Sequence, residues 1–178
     1  MKKSIEILKL FCLAGIFLLL SIGKVQAQHA TDYTIHATLI YRFTKYIDWP
    51  ANKKSGDFII GIIGDSPLYD DLKNFIANKT VGNQRIVVTK ITASKNYSNC
   101  HILFISEEES GDLKKIAELT SGAPVLLITE YNGLAHKGSC FNFITVNDRL
   151  KLEINKSNVE QRNLHIASEL LELAIIIK

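Results

Sequence analysis

Asp65, Glu107 and Glu130 each stand at the end of a short apolar run. Brought together, such carboxylates could pass a proton in a hydrolytic reaction or hold a hard cation. The first two have a plainer employment. Asp65 precedes Pro67, which suits the first turn of a helix, and Glu107 falls in the first turn of another, where the helix dipole favours negative charge. Cys100 and His101 are neighbours, and a thiolate–imidazole pair would need both side chains on one side. Adjacent residues on a strand point to opposite faces, which works against that pairing.

Other chemistries lack their residues. His29, His36, His101, His136 and His165 are scattered without metal-ligand spacing, and no metal or cofactor is expected. Gly61, Gly64, Gly82 and Gly138 do not make a phosphate-cradling loop, and no G-x-S-x-G elbow is present. No catalytic residue is therefore assigned, and the expectation is a protein that is not an enzyme. What remains is contact: Tyr41, Phe43, Tyr46 and Trp49 form an aromatic stripe. Phe43 fits an apolar helix face, whereas Tyr41, Tyr46 and Trp49 cannot all share it, so these three are the candidates for meeting a partner.

The elements that must position these residues follow from periodicity. Asp32 to Trp49 carries His36, Leu39, Ile40, Phe43 and Ile47 at helical spacing and stops before Pro50. Phe58–Ile63, His101–Ile105 and Val125–Thr129 read as strands buried on both faces, and Arg85 to Ile91 as a further strand. Helices are expected from Pro67 to Ala77 and, opened by a Ser106…Glu109 capping box, from Ser106 to Leu119. Ser139–Val146 and Arg149–Ile154 make a hairpin around Asn147-Asp148, and two helices, Ser157–Gln161 and Ile166–Ile176, close the chain. The apolar tail of the last is suited to a buried or subunit-covered end.

Strands alternating with helices imply a single α/β domain with a mixed, mostly parallel sheet. Ligands in such sheets sit beyond the carboxyl ends of parallel strands, which makes Asp65, Ser106 and Glu130 the residues of a candidate crevice.

The first 27 residues have the pattern of a cleaved secretory signal: Lys2 and Lys3, an apolar run from Leu10 to Ile22 too short to span a bilayer, and Val25-Gln26-Ala27. Residues 28–178 are then the mature domain. Removing the leader takes the formal charge from +3 to zero, so the mature surface offers no argument for nucleic acid. Cys100 and Cys140 remain, in a compartment that permits disulfides, and a bond between them requires Cα atoms ~5.5 Å apart.

The segment Tyr41-Arg42-Phe43-Thr44-Lys45-Tyr46-Ile47-Asp48-Trp49-Pro50 resembles the opening of the YfiR family, an aromatic-rich helix reading roughly Y-x-F-x-K-F-x-x-W-P. The likeness continues at Ile62-Ile63-Gly64-Asp65-Ser66-Pro67, Cys100-His101-Ile102-Leu103-Phe104-Ile105-Ser106, Gly133-Leu134-Ala135 and Phe141-Asn142-Phe143. It closes with Leu152-Glu153-Ile154-Asn155 and Leu164-His165-Ile166-Ala167-Ser168-Glu169-Leu170-Leu171. The resemblance implies a periplasmic α/β protein, often dimeric, that binds the periplasmic part of an inner-membrane diguanylate cyclase and restrains it, limiting cyclic di-GMP and biofilm. Some members are tied to intrachain disulfides and to an outer-membrane lipoprotein that sequesters them. With two mature cysteines, this chain departs from a four-cysteine redox arrangement. The alternative is a periplasmic small-ligand sensor module serving a histidine kinase or another receptor.

Overall fold

The computed structural model describes residues 33–177. The signal-peptide reading, and His29, lie outside them. The chain opens with α1 (Tyr33–Tyr46), whose buried stripe is His36, Ala37, Ile40, Phe43 and Thr44. Phe43 lies edge-on to Phe141 at 4.8 Å and His36 edge-on to Phe143 at 4.5 Å, which seats the helix on one face of the sheet.

The expected extension of α1 to Trp49 is not what forms. Ile47–Asp48 is a short strand, β1, paired antiparallel with β9 (His165–Ile166). The Ala167 N–H donates to the Tyr46 carbonyl at 2.8 Å, so a partner distant in sequence takes up the backbone that another helical turn would have used.

The main sheet contains β2 (Phe58–Ile63), β3 (Thr80–Val81), β4 (Gln84–Lys90), β5 (Ile102–Ile105), β6 (Leu126–Thr129), β7 (Phe141–Val146), β8 (Arg149–Asn155) and β10 (Ile175–Ile177). Their order is β10-β8-β7-β6-β5-β2-β4-β3. The central strands β2, β5 and β6 run parallel, with Ile60 level with Ile102 and Ile102 with Leu126. Their continuous apolar sequences follow from cover on both faces. The late hairpin is as expected: Asn147 and Asp148 take φ of 50° and 58°, the left-handed pair of a type I′ turn. A second hairpin at Gly82-Asn83 adds the short edge strand β3, too brief to show in the apolar pattern.

Four helices besides α1 join these strands: α2 (Leu68–Ile76), α3 (Leu113–Leu119), α4 (Lys156–Glu160) and α5 (Ser168–Leu171). Two helical expectations are corrected. The capping box does not form, because Glu107–Asp112 winds as 3₁₀ and α3 starts only at Leu113. The closing helix over Ile166–Ile176 is in fact strand β9, the single-turn α5, and strand β10 lying parallel to β8. Three consecutive isoleucines satisfy the free edge of β8 better than they extend a helix.

Candidate functional site

The carboxyl ends of β2, β5 and β6 come together as the sequence implied, but their polar residues divide between two settings. After β2 the chain turns at Gly64, φ +85°, where a Cβ would collide with Ser106 Oγ and press on Glu109 Cγ at 2.7 Å. Ser106 is buried against that glycine, and its hydroxyl has no hydrogen-bond partner among the described residues.

On one side of this point a cleft of about 620 Å³ is lined by Gly64, Asp65, Lys90, Tyr97, Glu109 and Lys115, among others. Asp65 stands at its exposed rim, paired with Lys90 at 3.0 Å. Ser106 and Glu130 are not among its lining residues, so the three crevice candidates do not share one cavity.

On the other side Glu130 Oε1 accepts the Glu107 N–H at 3.3 Å, while the Glu109 N–H donates to the Ser106 carbonyl at 3.1 Å rather than to its hydroxyl. Glu130 also meets the Tyr33 hydroxyl, which contacts Ser66 as well. Burial pushes the Glu130 carboxyl up, against the lowering by its hydrogen bonds from Tyr33 and Glu107. Burial and the Glu130 charge hold the Tyr33 hydroxyl up at about 12. Deeper in, Thr129 Oγ1 donates to Asn142 Oδ1 at 2.7 Å, and Asn142 Nδ2 donates to Glu153 at 2.8 Å. Asp65 and Glu130 thus have separate partners, and a paired-carboxylate centre is not assembled. Among the described residues no group of three His, Cys, Asp or Glu could hold a metal ion.

The Cys100–His101 neighbours also go separate ways. Cys100 Sγ is buried near the Asn96 carbonyl at 3.6 Å, and burial pushes its thiol up to about 11, away from nucleophilic use. His101 accepts the Ile59 N–H on Nδ1 at 3.0 Å, so its proton sits on Nε2, 2.8 Å from the Lys53 carbonyl. Lys53 in turn donates to the carbonyls of Ser98, Asn99 and Cys100 at 2.9, 3.3 and 2.9 Å. Sequence reasoning missed this knot, in which one lysine and one imidazole secure the start of β5 to the Lys53 loop.

The pairing that the sequence left open does not form in this structure: Cys100 and Cys140 are both free and buried. Cys100 leads into β5 and Cys140 into β7, with β6 between them. Strands two places apart are separated by roughly 9.5 Å, beyond disulfide reach. Cys140 Sγ instead faces the Asn158 carbonyl at 3.6 Å.

The aromatic stripe is divided as well. Trp49, expected as a contact residue, is only 5 % exposed; it packs edge-on against Phe58 at 5.0 Å and donates from Nε1 to the His101 carbonyl at 3.3 Å. Trp49 is therefore a core residue. Tyr41 and Tyr46 are half-buried at the flank of α1; Tyr41 lies edge-on to Phe75 of α2 and beneath the Lys45 and Lys79 ammonium groups. Beside them an outer row of α1 faces solvent: Ile35, Arg42 and Lys45, with Thr38 half-buried. Ile35 is 48 % exposed, an apolar residue left without cover on a charged helix face.

Residues 33–175 match the model of a YfiR/HmsC-like family. The chain belongs to the YfiR/HmsC-like family. No curated protein matches it. Family membership places the chain, at a general level, with regulators of diguanylate cyclases rather than with enzymes. No helix of the described residues is long and apolar enough to cross a membrane.

Proposed function

We propose that this protein is exported to the periplasm, docks on the periplasmic part of an inner-membrane diguanylate cyclase and holds it inactive, so that cyclic di-GMP and biofilm matrix stay low. The observation that carries the reading is the family match over nearly the whole described chain. The outer row of α1 supplies the docking face, with Ile35 at its start, Arg42 and Lys45 along it, and Tyr41 and Tyr46 at its flank. An apolar residue among cations, edged by tyrosines, suits a partner surface that is partly acidic and partly apolar. Regulation by occupancy needs no reacting group, in keeping with Asp65 and Glu130 each being engaged elsewhere.

Deleting the gene is expected to raise cyclic di-GMP in cell extracts, and wild-type protein should restore the low level. The variant Ile35→Asp/Arg42→Glu/Lys45→Glu is expected to fold, since all three side chains face solvent, yet fail to restore it and fail to co-purify with the cyclase. Full restoration by that variant would remove α1 as the docking face, and unchanged cyclic di-GMP on deletion would remove the cyclase as the receptor.

A second reading, a ligand-sensing module for a histidine kinase, rests on the cleft beside Asp65 and Lys90. A metabolite present at 100 times its dissociation constant would add about 2.7 kcal/mol of stability, which a thermal-shift screen registers.

A further inference from the structure

Arg162 lies away from both settings described so far, and its burial is not explained by either. It is 6 % exposed, and its guanidinium donates from Nη1 to the Thr120 carbonyl at 2.9 Å and Thr120 Oγ1 at 3.0 Å, and from Nη2 to the Ala117 carbonyl at 3.3 Å. These acceptors, at the end of α3, are neutral. The helix dipole offsets part of the cost of withdrawing a cation from water. None of the ion pairs among the described residues supplies Arg162 with a carboxylate. Its hydrogen-bond acceptors are thus neutral groups, and the guanidinium charge at this point is not matched by a carboxylate.

The guanidinium borders a cleft of about 360 Å³ between α3, the Lys137-Gly138 turn and α4. Lys114, Lys137 and Arg162 bring positive charge to its lining against the single carboxylate of Glu118, with Ser121 and Gln161 adding polar groups. Neither lysine is engaged in an ion pair among the described residues. Gly138, at φ +124°, keeps the turn close to α3, where a Cβ would stand 3.3 Å from Ala117 Cβ. The volume suits a small ligand, and the charge selects its sign.

We propose that this cleft binds a small oxyanion, a phosphate or a carboxylate, between Lys114, Lys137 and the buried Arg162. Capping α3 requires only Arg162; anion binding requires the two lysines as well, and that difference makes the idea testable without disturbing the core. The ¹⁵N-labelled protein is titrated at constant ionic strength with inorganic phosphate in one arm and succinate in the other. Saturating shifts are expected at the amides of Ser121, Gly122, Lys137 and Gly138 in at least one arm, and the responding arm identifies the anion. The variant Lys114→Gln/Lys137→Gln should keep the wild-type spectrum elsewhere and bind the same anion about tenfold more weakly or worse. Non-saturating shifts in both arms, or undiminished binding by the double variant, would overturn the proposal.

Discussion

His101 shows how a residue type that invites a catalytic reading becomes a structural one. Its ring is stacked on Phe58 at 4.3 Å, tilted against Trp49, and hydrogen-bonded through both nitrogens. Burial holds its pKa below the ordinary imidazole value, with the nearby Lys53 ammonium acting the same way and the bond to the Lys53 carbonyl opposing them. The other titratable group facing this knot is the Cys100 thiol. Above the unfolded-state pKa of about 6.5 the imidazole is neutral in both states and its contribution to stability is complete. As pH falls below that value the unfolded chain takes up the proton first, and the contribution is lost on the way down through the folded pKa. Urea unfolding at a series of pH values should therefore show stability declining below pH ~6.5. In His101→Gln the decline should be shallower, with a loss of ~1–3 kcal/mol at neutral pH from bonds left unmade to Ile59 and Lys53. Identical pH slopes for the two proteins would show that His101 is not the titrating group. Nothing in local sequence announces the knot, because its members are 48 residues apart.

At the scale of elements, the apolar runs were legible because a strand covered on both faces tolerates little else, and β2, β5 and β6 stand where the runs Phe58–Ile63, His101–Ile105 and Val125–Thr129 put them. Element ends were less legible. Local winding and tertiary contacts decided them: β9 took the last turn of α1, a 3₁₀ turn followed Ser106 in place of a capped α-helix, and β8 drew the final isoleucines into a strand. Gly64 is the junction at which two elements touch. Gly64→Ala combines a positive φ with a collision at Ser106 and should cost at least ~1–2 kcal/mol, measured by urea unfolding. Gly82→Ala is a fitting control, since its φ is also positive, +57°, while its Cβ would meet open space. If the two variants lose the same stability, strain alone accounts for the effect and the Ser106 contact adds nothing.

At the scale of the molecule, the mixed α/β architecture and the family both emerge from the sequence, while the candidate site does so only in part. Asp65 does line a cleft, but Trp49 is core and Ser106 is sealed behind Gly64, facts that depend on packing between segments. The sheet is left with an unusual margin at β10, where Ile175 and Ile176 are 44 % and 43 % exposed and Leu173 just before them 80 %. Apolar edge strands pair with others of their kind unless a charge or proline intervenes. Light scattering after size exclusion should report self-association at high protein concentration, and Ile176→Lys should shift it towards monomer; a monomeric wild-type protein would show that the edge is adequately shielded. The small β1–β9 ladder carries a different consequence, one of time. It ties the segment after the first helix to one near the end of the described chain, so a loop that takes in most of the described residues must close for these strands to meet. Loops of that length close late and raise the contact order, which slows folding. Until Ile47 joins Ile166 the exit of α1 lacks that backbone tie, and the helix rests on its ring contacts with Phe75, Phe141 and Phe143.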